Sequence, residues 1–184
     1  MLAASLAGCT GSSTPDPEVS SSSVASASVA PSPTPSPTGP VAPVRPAQID
    51  QMTPTGAAAA ATYFIELYGY VLQTGDLTAW DAMSYRTCQF CNATHEFVAS
   101  TFRDGGSFVG GTTTAEVLAV HALAELEGGY PVDLRVTQGP TGRLDAAGAQ
   151  VTSTEGSVST ARFHTSFING AWRILGVEGG RESE

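Results

Sequence analysis

Residues 157–180 read SVSTARFHTSFINGAWRILGVEGG. Two β-rich runs flank Asn169-Gly170, the residue pair preferred in a two-residue hairpin turn. Set between Phe167-Ile168 and Ala171-Trp172, this pair predicts an antiparallel β-hairpin. Working outward, YPVDLRVTQG (130–139) alternates cleanly, with Val132, Leu134 and Val136 inward and Asp133, Arg135 and Thr137 outward. Residues Gly139 to Gly142 read as a turn. TTTAEVLAVHALAELEGG (112–129) fits two readings. Its alternation permits a strand and its Ala, Leu and Glu content permits a helix; the neighbouring strands favour the strand.

Upstream the rhythm is helical. In TPTGAAAAATYFIELYGYVLQTGDLTAW (53–80), Phe64, Leu67, Tyr68, Val71 and Leu72 form a stripe at helical spacing. Thr53 can cap the helix, Pro54 suits its first position, and Gly75 suits a left-handed stop, which predicts a helix over 54–73. Asp76 can cap a short second helix, 77–83, with Trp80 and Met83 on one face. YRTCQFCNATHEFVASTFRDGGSF (85–108) predicts a third helix over 88–103, with Phe90, Phe97, Val98 and Phe102 toward the core and Gly105-Gly106 as its break. Helices followed by antiparallel strands make an α+β plan: three N-terminal helices packed on a curved antiparallel sheet of about four strands.

The rest of the 184-residue chain is of another kind. Nine of the twelve prolines lie between Thr10 and Pro46, a stretch without Leu, Ile, Phe, Tyr or Trp. It has too little apolar surface to offset the entropy of ordering, so it reads as a disordered tether. All aromatic residues follow Gln51, which places the folding unit at 51–180, with a short tail at 181–184. The net charge is −9, from 17 acidic residues against 8 basic ones, all of them Arg. With no basic cluster or Gly-rich phosphate loop, the composition argues against nucleic-acid binding and accounts for solubility instead. No cofactor motif is present, and no segment approaches the length of a membrane span.

Leu6-Ala7-Gly8-Cys9 resembles a bacterial lipobox. That resemblance implies cleavage before Cys9, diacylglycerol on its thiol, and two acyl chains as a stable anchor on the extracytoplasmic side of the cell membrane. Residues 1–8 are then the remnant of a signal peptide whose start lies upstream, and residues 9–50 are the lipidated cysteine and its tether. The 37 residues from Thr10 to Pro46 would reach about 35 Å as a coil, or about 115 Å in polyproline form.

The aromatic first helix ending in TGD, the short helix with Trp80, and FHTSFINGAWRILGV (163–177) together resemble the cone-shaped fold of nuclear transport factor 2, scytalone dehydratase and ketosteroid isomerase. With the lipobox, the linker and Cys-x-x-Cys, the chain is also similar to lipoproteins of a domain-of-unknown-function family from high-GC Gram-positive bacteria. These likenesses imply a tethered, non-catalytic binding or accessory module for a protein partner, a peptide or an apolar small molecule. The alternative they imply is an isomerase or dehydratase using the cone cavity. Enzymes of that fold place a His, Asp or Tyr there as acid or base. Here Asp133, His164 and Tyr63, beside Trp80, are the residues that could meet in such a pocket; an exposed face for Asp133 and His164 and a core place for Tyr63 and Trp80 is the competing arrangement.

Cys88-Gln89-Phe90-Cys91 carries three readings. With Cys9 lipidated, two thiols remain in an oxidising compartment and within disulfide range, which favours a structural disulfide. A helix N-terminus would also suit a redox-active pair. Cys88, Cys91 and His95, on one helical face, could supply three of four zinc ligands. Oligomeric state is not legible.

Overall fold

The computed structural model of the protein describes residues 39–180. Cys9, most of the tether and the 181–184 tail lie outside the described residues.

Helix α1 spans Pro54–Thr74. The Thr53 hydroxyl accepts from the Gly56 amide at 3.1 Å and Pro54 occupies the first turn, so the free amides there cost little. The helix stops at Gly75, whose φ of 72° lets its N–H reach the Val71 carbonyl. Helix α2 (Thr78–Met83) follows, with the Asp76 carboxylate accepting from the Thr78 amide at 3.0 Å, and helix α3 spans Gln89–Arg103. Of the four residues expected to face the core from α3, Val98 is fully buried, whereas Phe97 is 47 % exposed and packs edge-on against Phe108. Phe97 meets Phe108 only edge-on, which leaves much of its ring in water.

Seven strands follow: β1 (Ser107–Gly110), β2 (Thr113–Val120), β3 (Val132–Gln138), β4 (Thr141–Leu144), β5 (Gln150–Thr154), β6 (Ser157–Ile168) and β7 (Ala171–Gly180). The expected sheet is present as four antiparallel strands in the order β2-β3-β6-β7. A second antiparallel sheet, β1-β4-β5, was not expected. Its strands are short and β5 is exposed along its whole length, so no apolar alternation announces them. The turn expected over Gly139–Gly142 is confined to Gly139-Pro140, and Thr141 and Gly142 already belong to β4.

The β2 region is a strand, as its neighbours implied, but it ends at Val120. The Ala122–Gly129 stretch leaves the sheet as a loop closed by an Ala124–Gly129 bridge, and His121 stands one residue past the strand. The β6–β7 hairpin turns on Asn169 (φ 51°) and Gly170 (φ 78°), the left-handed pair such a turn needs. Its register slips at His164/Thr165, opposite Leu175, a bulge that bends the hairpin.

The core lies between α1 and the inner face of the larger sheet, where Phe64, Leu67 and Leu72 meet Val132, Leu134, Phe163 and Ile174. Trp80, fully buried, stacks on Phe64 at 4.0 Å, and its indole N–H donates to the Cys91 carbonyl at 3.1 Å. Residues Ala47–Asp50, read from sequence as tether, form a 3-10 turn that buries Ile49; the Trp172 indole N–H donates to the Gln51 carbonyl just beyond it.

Candidate functional site

The inner face of the larger sheet does not fill completely. Between it and the helices lies a cavity of 220 Å³. The strands contribute Thr113 from β2, Val136 and Gln138 from β3, Ser159, Ala161 and Phe163 from β6, and Val177 and Gly179 from β7; the helices contribute Ile65, Tyr68 and Phe90. These strand residues share a face because β-strand side chains alternate and the register aligns Val136 with Ser159 and Ala161 with Gly179. Burial holds the Tyr68 phenol above its ordinary value, partly countered by the Gln138 side chain beside it. The cavity is apolar within and polar at the Thr113, Gln138 and Ser159 end.

Asp133 and His164 do not line it. They stand on the opposite, convex face, so they do not meet Tyr63 or Trp80, both of which are buried in the core. Asp133 accepts two hydrogen bonds from Arg162, at 2.7 and 2.9 Å, and lies 2.7 Å from His121 Nε2. The Arg162 guanidinium holds its carboxyl down to about 2 against the opposing effect of burial, and His121 lowers it further. His164 sits between two carboxylates, with Nδ1 3.4 Å from Glu127 and Nε2 3.3 Å from Glu178. The second approach has the distance of an ion pair without the alignment of a hydrogen bond, so Nε2 has no hydrogen-bond partner among the described residues.

Cys88 and Cys91 form a disulfide, with α-carbons 5.2 Å apart. Cys88 is the N-cap of α3 and both cysteines are fully buried, so the bridge staples the first turn of the helix. With each sulfur bonded to the other, neither is a thiolate ligand; His95 is paired with Asp81 at 2.8 Å, and no cluster that could hold a metal ion occurs among the described residues.

Reading by residue type missed Tyr68, Gln138 and Ser159 as lining residues. The available signal was polar side chains at inward positions of alternating strands: Gln138 continues the phase of Val132, Leu134 and Val136, and Ser159 that of Ala161 and Phe163.

Among protein families, a family of unknown function (DUF6318) matches residues 32–178. The chain belongs to this family. For this DUF6318 chain, no curated protein matches. Among solved structures it is similar to the intermembrane space region of the chloroplast protein ARC6, with 11 % identity and a TM-score of 0.56 over 72 % of this chain and 99 % of that one. It is also similar to a nuclear transport factor 2-like superfamily protein from Salmonella enterica serovar Typhimurium (13 % identity, TM-score 0.45, 72 % and 95 % of the two chains). A third neighbour, an uncharacterised protein with a cystatin-like fold from Caulobacter vibrioides, has 13 % identity and a TM-score of 0.40 over 67 % and 88 % of the two chains. The first of these likenesses concerns the fold alone, an α+β arrangement of helices and antiparallel sheets.

Proposed function

We propose that the protein is a membrane-held, non-catalytic binding module: a lipid on Cys9 anchors it on the extracytoplasmic side, a polar tether spaces it, and the cavity takes a small apolar ligand. The observation that carries the binding part is the composition of the cavity. Ile65, Val136, Ala161 and Phe163 form its interior, Tyr68 is the one ionisable side chain on its wall among the described residues, and Asp133 and His164 lie on the other side of the sheet. An apolar concavity with a few convergent polar groups is the usual form of a small-molecule site. The anchoring part is supported by Leu6-Ala7-Gly8-Cys9 and by the Ser- and Pro-rich stretch that follows. The disulfide agrees with an oxidising compartment.

Two measurements test it. Produced with its complete secretion signal, the protein should sediment with membranes and carry acyl mass on Cys9, and Cys9→Ser should release it; a soluble, unacylated wild type refutes the anchor. The neutral fluorescent probe N-phenyl-1-naphthylamine should bind the full chain, and Ala161→Phe, which fills the cavity, should abolish that binding. Binding unchanged by Ala161→Phe refutes the cavity as the site.

A further inference from the structure

We propose that a hollow at the outer edge of β7, separate from the cavity under the sheet, binds a small carboxylate with an apolar body.

Strand β7 is an end strand of the larger sheet, and two other segments close on its free edge. The chain leaving the 3-10 turn is held there by the Trp172 indole N–H, which donates to the Gln51 carbonyl at 3.3 Å. The end of α2 is held by the Ser84–Ile174 bridge and by the Tyr85 amide, which donates to the Ile174 carbonyl at 3.0 Å. Between the two lies a hollow of 190 Å³ with Ile49, Met83 and Trp172, all buried, as its apolar floor. Hydrogen bonds pin both walls to the strand, so the hollow is shaped in advance and a ligand does not bear the cost of ordering it.

The rim is cationic. Arg45 and Arg173 line the hollow, and among the described residues no Asp or Glu does. Arg45 is paired with Asp50 at 2.7 Å, as Arg135 is with Glu116 and Arg162 with Asp133. Arg173 has no carboxylate partner among the described residues, in a chain where acidic residues outnumber arginines 17 to 8. Its Nη1 donates to the Trp172 carbonyl at 3.2 Å, which holds the guanidinium against the strand and leaves its other N–H groups to donate elsewhere.

The backbone adds a second donor. Along an antiparallel strand, successive residues alternate between turning their N–H and C=O toward the paired strand and away from it. The Ile174 carbonyl is turned away from β6, since it accepts from Tyr85. Trp172, two residues earlier and on the same side of the bulge, therefore also turns its N–H to the outer edge. A carboxylate at this edge meets a guanidinium and an amide, and its apolar body covers the floor. A neutral amide of the same shape lacks the charge for the first, and a bare carboxylate lacks the body for the floor. At 190 Å³ the hollow is smaller than the roughly 300–1,000 Å³ of a site for a drug-sized molecule, which restricts it to a small ligand.

The test titrates the isotope-labelled full chain at pH 7 with benzoate and follows the Trp172 and Trp80 indole N–H signals and the Trp172 amide by nuclear magnetic resonance. Benzoate should shift both Trp172 signals and leave the Trp80 indole in place. Benzamide and acetate should each bind at least about tenfold more weakly than benzoate, the first for want of the charge and the second for want of the body. Arg173→Gln should weaken benzoate at least about tenfold and change benzamide by less than about twofold. Arg45→Gln should change benzoate by less than about threefold, because Asp50 already balances that charge. Ala82→Trp, at an exposed residue of the wall, should block benzoate and benzamide alike while circular dichroism shows the fold kept. Benzoate that moves neither Trp172 signal overturns the proposal. Benzamide binding as tightly as benzoate overturns the role of charge, and acetate doing so overturns the apolar floor. A folded Arg173→Gln that binds benzoate like wild type overturns the part given to Arg173, and a folded Ala82→Trp that does so overturns the hollow as the site.

Discussion

Replacing Asp133 by Asn isolates the convex-face ion cluster. The carboxylate accepts from Arg162 at 2.7 and 2.9 Å and faces His121 at 2.7 Å, and these contacts lower its proton affinity from an ordinary 3.8 to about 2. A difference of that size corresponds to roughly 2.5 kcal/mol if it passes wholly into stability. Asp133 is 19 % exposed but Arg162 is 44 % exposed, and solvent around such a partner screens the pair, which brings the expected contribution to about 1 kcal/mol. The sign follows from the lowered value. The contribution is present above about pH 4 and is lost as pH falls toward 2, where the folded state takes up its proton. Urea unfolding followed by Trp fluorescence at pH 7, 5, 3.5 and 2.5 measures it. Asp133→Asn should cost about 1 kcal/mol at pH 7 and 5, with the gap to wild type closing toward pH 2.5. A gap of the same size at every pH refutes the electrostatic account, since the loss would then come from packing.

Trp80→Ala removes the ring stacked on Phe64 and the donor to the Cys91 carbonyl, and should cost about 3–5 kcal/mol in chemical denaturation; a cost below about 1 kcal/mol contradicts its central place. The double variant Cys88→Ala/Cys91→Ala opens a four-residue ring and should lose only about 2 kcal/mol while keeping its circular dichroism. Because both cysteines are fully buried, thiol alkylation under reducing but non-denaturing conditions should leave wild type unlabelled; rapid labelling would point to an accessible redox pair. Gly75→Ala forces a side chain into a backbone of φ 72°, and its Cβ would stand 2.9 Å from the Phe102 ring, so thermal unfolding should show a loss of at least about 1 kcal/mol.

The helices and the hairpin were legible because their signals are local. Thr53-Pro54 and Gly75 bound α1 by backbone chemistry within a few residues, and Asn169-Gly170 sets its turn through two positive φ angles. The smaller sheet was not legible, since β4 is only four residues long and includes a glycine, and β5 is exposed along its whole length. The loop from Ala122 to Gly129 kept an alternating pattern yet left the sheet: its docking depends on distant groups, with the Ser166 hydroxyl and the Phe167 amide donating to the Glu127 and Gly128 carbonyls.

Local order along the chain therefore determined the class of the fold, the caps, the hairpin and the inward and outward phases of β3 and β6, all of which depend on residues within one or two turns of each other. Only the tertiary structure decided what those phases face. Asp133 and His164 share the outward phase and meet Arg162 and Glu178 on the convex side. Tyr68, Gln138 and Ser159, separated by 70 and 21 residues along the chain, converge on one cavity because helix α1 is laid across a four-stranded sheet. Spacing fixes which side a residue takes; packing between remote elements fixes whether that side is core, water or an empty space large enough for a ligand.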